Sequence, residues 1–202
     1  MKEQELEVKL LVRDLEAVEQ KLVELGAVIK QERILEINLR FDTPQGELSR
    51  SYKALRLRKD NRSRLTYKGP SESIEGVRVR QEIEFTVSDF DAARGFLEAL
   101  GYQVFMIYEK FRTEYIYQGI SISLDELPYG CFVEIEGPDP KSIQMINREL
   151  NLKWENRINE SYLMMFNHIS QRAGLKHRDL TFETFKERDL AEKVMNLIPA
   201  DS

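Results

Sequence analysis

Polar and apolar residues alternate along most of the predicted strands of this chain. In the first, "ELEVKLLV", Glu5, Glu7 and Lys9 alternate with Leu6 and Val8. Successive side chains of a strand point to opposite faces, so this segment has one charged and one apolar face. The same pattern recurs in "ALRLRK", "SRLTYKG", "GVRVRQEIEFTV", "ISISLDEL" and "CFVEIEG". With two longer strands, this predicts about eight strands joined largely by hairpins.

Four other segments have the spacing of amphipathic helices. They are "DLEAVEQKLVELGA", "SDFDAARGFLEALG", "DPKSIQMINREL" and "NESYLMMFNHISQRAG". In the second, we expect Ser88 to be the N-cap and Leu97 and Leu100 to lie in the buried stripe. The combination predicts an α+β fold, an eight-stranded antiparallel β-barrel with helices packed outside.

The chain divides into a domain and a charged tail. We expect residues 1–174 to form the barrel domain and residues 175–202 to form a C-terminal helical appendage. Leu190, Val194 and Leu197 form the predicted contact stripe of that tail helix.

The charged strand faces carry residues of like sign at alternate positions. The acidic pairs are Glu5/Glu7, Glu82/Glu84 and Glu134/Glu136, and the basic pairs are Arg56/Arg58, Arg78/Arg80 and Lys110/Arg112. Alternate residues of a strand lie about 6.6 Å apart, so such pairs repel unless counter-charges lie nearby. A solvated sheet face is the ordinary explanation. If helices cover the outside, however, the charged faces point inward and must line a wet tunnel.

Acidic and basic residues on the same inner surface indicate a particular ligand class. Carboxylates bind hard divalent cations such as Mg²⁺ or Mn²⁺, whereas Arg and Lys bind phosphate oxygens. The pattern therefore predicts a metal–polyphosphate site, although the sequence has no glycine-rich phosphate loop.

Composition and charge exclude several other functions. The chain has 202 residues, 42% of them hydrophobic, and a net charge of −5, which argues against a broad nucleic-acid-binding surface. No apolar run approaches the roughly 20 residues of a membrane helix, and the start lacks a signal-peptide core, so we expect a cytoplasmic protein without membrane contact. Cys131 is the sole cysteine, and the chain has two histidines without close metal-ligand spacing, which argues against a zinc site.

Several motifs occur in the order typical of one family. They are "ELEVK", "FDTP", "ALRLR", "LTYKGP", "RQEIEFTVSD", "EKFRTEY", "LDELPYGCFVEIEG" and "NESY". Over residues 3 to 170 the chain resembles the CYTH superfamily, the triphosphate tunnel metalloenzymes. The residues of its motifs are most similar to those of the class IV adenylate cyclase branch, and the chain lacks the Trp-x-x-Lys motif usual in animal thiamine triphosphatases. The turn in "LDELPYGCFVEIEG" is one residue shorter than the usual form.

The resemblance implies roles for individual residues. It assigns divalent metal to Glu5, Glu7, Glu134 and Glu136, with Asp125 nearby, and makes these four glutamates and Lys9 the catalytic set. It assigns phosphate binding to Lys9, Arg56, Arg58, Lys68, Arg80, Lys110 and Arg112, and it places Glu82 and Glu84 in the tunnel lining.

The resemblance also implies an activity, with alternatives. The first expectation is conversion of ATP to cyclic AMP and pyrophosphate with Mg²⁺ or Mn²⁺. The alternatives are hydrolysis of tripolyphosphate or thiamine triphosphate, and non-catalytic binding of a nucleotide or polyphosphate. Since many members of this family dimerise, a homodimer is a further expectation.

Overall fold

A closed antiparallel β-barrel forms the centre of the protein. A computed structural model describes residues 4–174, 179–184 and 190–202. The strands are β1 (Gln4–Val12), β2 (Val28–Asp42), β3 (Ala54–Lys59), β4 (Ser63–Ile74), β5 (Val77–Val87), β6 (Gln103–Tyr117), β7 (Ile120–Leu127), β8 (Gly130–Glu136) and β9 (Arg157–Ile158). Their order is β5-β4-β3-β2-β6-β7-β8-β1-β9, and pairing of β5 with β1 closes the barrel. The predicted eight-stranded barrel is confirmed, with β9 as an additional short strand beside β1.

Six helices accompany the barrel in the described part of the chain. They are α1 (Leu15–Glu24), α2 (Glu47–Arg50), α3 (Phe90–Ala99), α4 (Pro140–Glu149), α5 (Tyr162–Ala173) and α6 (Leu190–Met195), with a 3-10 turn at Trp154–Asn156. The four predicted helices correspond to α1, α3, α4 and α5. Within the described residues, none of the helices is long and apolar enough to span a membrane.

Two details predicted for α3 are wrong. The N-cap is Asp89 rather than Ser88, because the Asp89 carboxylate accepts the Ala92 N–H at 2.9 Å. Leu97 is buried as predicted, but Leu100 is 60% exposed. The helix ends at Ala99, so Leu100 caps it and its side chain extends past the surface that the helix covers.

The inward faces of the strands change from charged to apolar toward one end of the barrel. Lys9 is followed on the same face by Leu11, Glu134 is preceded by Phe132, and both apolar residues are buried. They belong to a cluster that includes Met165 and Phe166 of α5. This cluster closes the interior at that end, so a charged tunnel is left only over the remaining length.

The helices do not cover the whole outside of the barrel. A second apolar cluster joins the outer faces of β1, β7 and β8 to α1 and α4, and a third packs α3 against β2 and β3. On β5, however, Ile83 and Phe85 are 47% and 54% exposed. None of the described helices therefore covers the outer face of the β4–β5 hairpin.

The described parts of the tail contact the barrel directly. Leu180 forms a parallel bridge with Tyr108, and the Ala200 N–H donates to the Leu11 carbonyl at 2.8 Å. Leu197 packs on the apolar end cluster, as predicted. The predicted tail helix is seen at Leu190–Met195, and residues 185–189 before it lie outside the described residues.

Candidate active site

A cavity of about 840 Å³ lies inside the barrel. Among the described residues, thirteen basic and eight acidic side chains line it. The excess of positive charge contrasts with the net charge of −5 for the whole chain. A concave site with this charge and low-dielectric walls attracts polyanions.

The acidic wall of the cavity is built by the neighbouring strands β1 and β8. In their antiparallel register Glu7 lies opposite Glu136, and Lys9 lies opposite Glu134. The Lys9 ammonium contacts Glu7 Oε1 at 2.7 Å and Glu134 Oε1 at 2.9 Å. Burial alone would lower the pKa of Lys9, but the two carboxylates outweigh it and raise that pKa. Lys9 is thus held as a buried cation between two acids.

A second group of charges joins β1 to β4 and β5. The Lys68 ammonium lies 2.7 Å from Glu5 and 3.0 Å from Glu82, and Arg80 Nε donates to Glu5 at 2.9 Å. Burial opposes ionisation of Glu5, but Lys68 and Arg80 prevail and hold its pKa well below the usual range. Burial and the Glu5 charge raise the pKa of Glu82. Of the two carboxyl groups, Glu5 therefore ionises more readily than Glu82.

Asp125 on β7 organises the basic residues of β6. It has no exposed surface and accepts Arg112 Nε at 2.6 Å, Lys110 Nζ at 3.0 Å and the Tyr162 hydroxyl at 2.8 Å. Arg112 also contacts Glu134. Burial alone would lower the pKa of Arg112, but Asp125 and Glu134 outweigh it and raise that pKa, so Arg112 stays charged. Asp125 thus lies behind the cavity lining and holds Lys110 and Arg112 in place.

On the opposite side of the barrel, β2 and β3 meet β5. Arg58 bridges Glu36 at 2.8 Å and Glu84 at 3.0 Å. Arg56 makes longer contacts, 3.4 Å to Glu84 and 3.3 Å to the Tyr108 hydroxyl. Each arginine presents five donors, so both keep donors available for a ligand.

All of the predicted site residues except Asp125 line the cavity. Residues far apart in the chain, such as Glu5 and Glu136, are brought to one surface by closure of the barrel. Their proposed metal and phosphate roles stay predictions. Asp125 could bind a cation only by exchanging one of the four hydrogen bonds that it accepts.

The carboxylates of β1 and β8 could bind a hard divalent cation, because their oxygens are the ligands such an ion prefers and the register places Glu7 opposite Glu136. Burial, together with the charges of Glu5 and Glu7, raises the pKa of Glu136 to about 7, although this residue lies at the exposed mouth. A bound divalent cation would relieve that crowding. Within the described ranges, no three metal-ligating side chains converge on one point, since Lys and Arg side chains now occupy the spaces between them.

Sequence reasoning missed several residues of the site. Glu36 is 1% exposed and contacts Arg58, and Arg40 lines the cavity. Both lie on β2, where Glu36, Asn38 and Arg40 alternate with apolar residues, so the strand pattern could have revealed them. Tyr162, which contacts Asp125, lies at the start of α5, and its position in the site depends on helix packing alone.

Comparison with known proteins agrees with this architecture. The model of the CYTH domain family matches residues 3–162. A "putative adenylate cyclase" from Vibrio parahaemolyticus is 22% identical, with a TM-score of 0.74 over 83% of this chain and 99% of that chain. A protein from Pyrococcus horikoshii is 28% identical, with a TM-score of 0.67 over 79% of this chain and 98% of that one.

A plant protein adds an activity to the comparison. A "putative adenylyl cyclase" from Hippeastrum, described as having a dominant triphosphatase activity, is 20% identical, with a TM-score of 0.62 over 86% of this chain and 99% of its own. The search of curated proteins found no match. Since the family model covers most of the sequence and the barrel is closed as that resemblance implied, this chain belongs to the CYTH domain family.

Proposed function

We propose that this protein is a divalent-metal-dependent enzyme that acts on the phosphate chain of a triphosphate. The observation that carries the proposal is the net positive charge of the barrel cavity in an acidic protein. Arginine and lysine side chains on six different strands converge on one enclosed volume, as recognition of a polyanion requires.

Basic side chains on two sides of the cavity would bind the phosphate chain. Lys9, Lys110 and Arg112 would bind phosphate oxygens from the side of β1 and β6, and Arg56 and Arg58 from the side of β3. Carboxylate partners hold these cations in place in the structure. Little reorganisation energy is therefore needed to position them when the substrate binds. The apolar end cluster excludes water from the closed end of the tunnel.

The carboxylates of the acidic wall supply the metal site in this proposal. Glu5, Glu7, Glu134 and Glu136 would hold Mg²⁺ or Mn²⁺, which when bound neutralises phosphate charge and lowers the pKa of the attacking hydroxyl. Binding of the ion and the substrate together would let phosphates take over the Lys and Arg partners that these carboxylates now have.

Two reactions fit the same tunnel. In the cyclase reaction the ribose 3′-hydroxyl attacks the α-phosphorus of ATP, forming cyclic AMP and releasing pyrophosphate. In the second candidate, water attacks the terminal phosphorus of a triphosphate and releases orthophosphate. The residues of the sequence motifs favour the cyclase reaction. The dominant triphosphatase activity described for the Hippeastrum protein favours hydrolysis.

A substrate panel tests the proposal. The full chain is incubated with ATP, thiamine triphosphate and tripolyphosphate, each with Mg²⁺ or Mn²⁺, and cyclic AMP, pyrophosphate and orthophosphate are quantified. We expect metal-dependent turnover of at least one substrate, lost in Glu134→Gln and kept in Glu126→Gln, a surface acid on β7 that contacts Arg33. Cyclic AMP identifies the cyclase, and orthophosphate without it identifies the hydrolase.

A binding protein would give a different result. If tripolyphosphate with Mg²⁺ raises the melting temperature but no substrate is turned over with either metal, the enzyme proposal is wrong. If no triphosphate raises the melting temperature, the tunnel does not bind triphosphates at all, because a ligand at 100 times its Kd stabilises by about 2.7 kcal/mol.

A further inference from the structure

Arg40 differs from the other basic side chains on the inward strand faces. Nine such residues each have a carboxylate within 4.0 Å, but in the part of the chain that the structure describes, Arg40 has none. Its Nε is buried without a hydrogen-bond partner, and its guanidinium lies 5.8 Å from the ring centre of Phe105. The residue as a whole is half-buried. A cation partly withdrawn from water without a counter-charge is costly, which calls for an explanation.

A second arginine lies directly beside it. In the β2–β3 register Arg40 pairs with Arg56. The Nε of Arg56 is also buried without a partner, as are those of Arg58, Arg64 and Arg78, so the lack of a nearby carboxylate among the described residues is what sets Arg40 apart. Like charges directly opposite each other on neighbouring strands repel. Burial lowers the pKa of Arg40 to about 10. The charges of Arg56 and Arg80 act in the same direction, and Tyr108 and Asp42 oppose them only in part. Arg40 therefore stays protonated at neutral pH.

The nearest acidic residue on the same strand is already occupied. Both oxygens of Asp42 are used at the start of α2: Oδ1 accepts the N–H groups of Thr43 and Leu48, and Oδ2 accepts the N–H and hydroxyl of Ser49 at 2.9 and 2.5 Å. Asp42 therefore holds α2 in place, forms no ion pair with Arg40, and influences the pKa of Arg40 less than burial and the other neighbouring charges do. Lys53 also lines the cavity and adds a further positive charge.

We propose that Arg40 and Arg56 form a subsite for the terminal, doubly charged phosphate of the triphosphate, with Arg40 as the specificity-determining residue. This rests on the proposed function. A terminal phosphate has three unshared oxygens and two charges, whereas a phosphate within a chain has two oxygens and one charge. Two adjacent guanidiniums with unused donors match the terminal group, since Arg binds phosphate in bidentate fashion.

The position of the pair fits the rest of the site. Arg40 and Arg56 lie on β2 and β3, across the barrel from the acidic wall on β1 and β8. The end of the phosphate chain would thus point away from the carboxylates. Since Arg40 makes no ion pair with any residue that the structure describes, we assign its charge to binding and not to folding.

The test compares two ligands of equal length. ATP and its γ-methyl ester differ at the terminal phosphate, where the ester has one charge fewer and one blocked oxygen. Their dissociation constants are measured by calorimetry without divalent metal, so that metal-dependent turnover cannot consume ATP, for the wild type, Arg40→Gln and Arg40→Lys. We expect the wild type to prefer ATP about 10-fold, Arg40→Gln to lose that preference, and Arg40→Lys to keep part of it.

Melting temperatures of the empty proteins supply the second readout. Arg40→Gln removes a half-buried charge that has no carboxylate partner among the described residues, so we expect a melting temperature equal to or above that of the wild type. The matched control Arg112→Gln removes a cation with two carboxylate partners, and it should lower the melting temperature.

The outcomes separate this inference from the proposed function. If the wild type binds ATP but does not distinguish it from the ester, or if Arg40→Gln keeps the preference, the subsite is wrong and the proposed function stands. If Arg40→Gln melts well below the wild type, Arg40 is a structural residue and the inference is also overturned. If the wild type binds neither ATP nor tripolyphosphate, the proposed function itself has failed.

Discussion

The clearest prediction concerns Asp125→Asn. This substitution nearly preserves the size of the side chain but removes the negative charge that faces Lys110 and Arg112, and it turns one acceptor oxygen into a donor. Removing one partner of a buried ion pair costs about 3–5 kcal/mol. Arg112 retains Glu134, and Lys110 retains Glu36 at 3.6 Å, so we expect the lower end, about 3 kcal/mol.

The assay is urea unfolding together with thermal unfolding of the empty protein. For a chain of this size, about 3 kcal/mol corresponds to a fall in melting temperature of roughly 6–12 °C. The control Glu126→Gln changes the next residue on β7, whose partner Arg33 is 50% exposed. Such a surface pair contributes about 0–1 kcal/mol, so the control should unfold almost as the wild type does.

A ligand readout separates two roles of Asp125. If Asp125 organises Lys110 and Arg112, tripolyphosphate without metal should stabilise the variant more than the wild type, because it replaces the missing counter-charge. If Asp125 binds metal, the stabilisation that Mg²⁺ adds should disappear in the variant. A variant as stable as the wild type would refute the reasoning, since the ion pairs around Asp125 would then contribute nothing.

Three further changes test other parts of the structure. Asp42→Asn weakens the hydrogen bonds that hold α2, and urea unfolding should show a loss of about 1–2 kcal/mol at pH 7. Burial would raise the pKa of Asp42, but its hydrogen bonds with Ser49, Leu48 and Thr43 lower it, so the stabilisation is complete above the unfolded pKa of about 3.9 and is lost as pH falls through the lower folded value. A difference between variant and wild type that grows toward pH 2 would contradict this sign. Gly137→Ala places a methyl group 2.8 Å from Ile120 Cδ1, and thermal unfolding should reveal a loss of about 1–3 kcal/mol; unchanged stability would mean that the neighbours move freely. Lys9→Met leaves Glu7 and Glu134 without their shared cation, so tripolyphosphate should bind at least 10-fold more weakly by calorimetry, and unchanged affinity would exclude Lys9 from the phosphate site.

The strand pattern determined the elements and the chemical character of the tunnel wall. Side chains alternate between the two faces of a strand whatever the rest of the chain does, so "ELEVK" and "VEIEG" show charged faces in the sequence alone. The apolar stripes of four helices then indicated that the charged faces point inward. The barrel and all but one of the predicted lining residues followed from these local properties.

Which charge meets which partner was decided only by the tertiary structure. The register places Lys9 between Glu7 and Glu134, and the packing of α5 brings the Tyr162 hydroxyl to Asp125. Ion pairs across a barrel depend on strand order and closure, which no short stretch of sequence specifies. For the same reason the sequence could show only that β2 carries an arginine at position 40. The closed barrel showed that nearby carboxylates such as Asp42 and Glu84 bond to other residues.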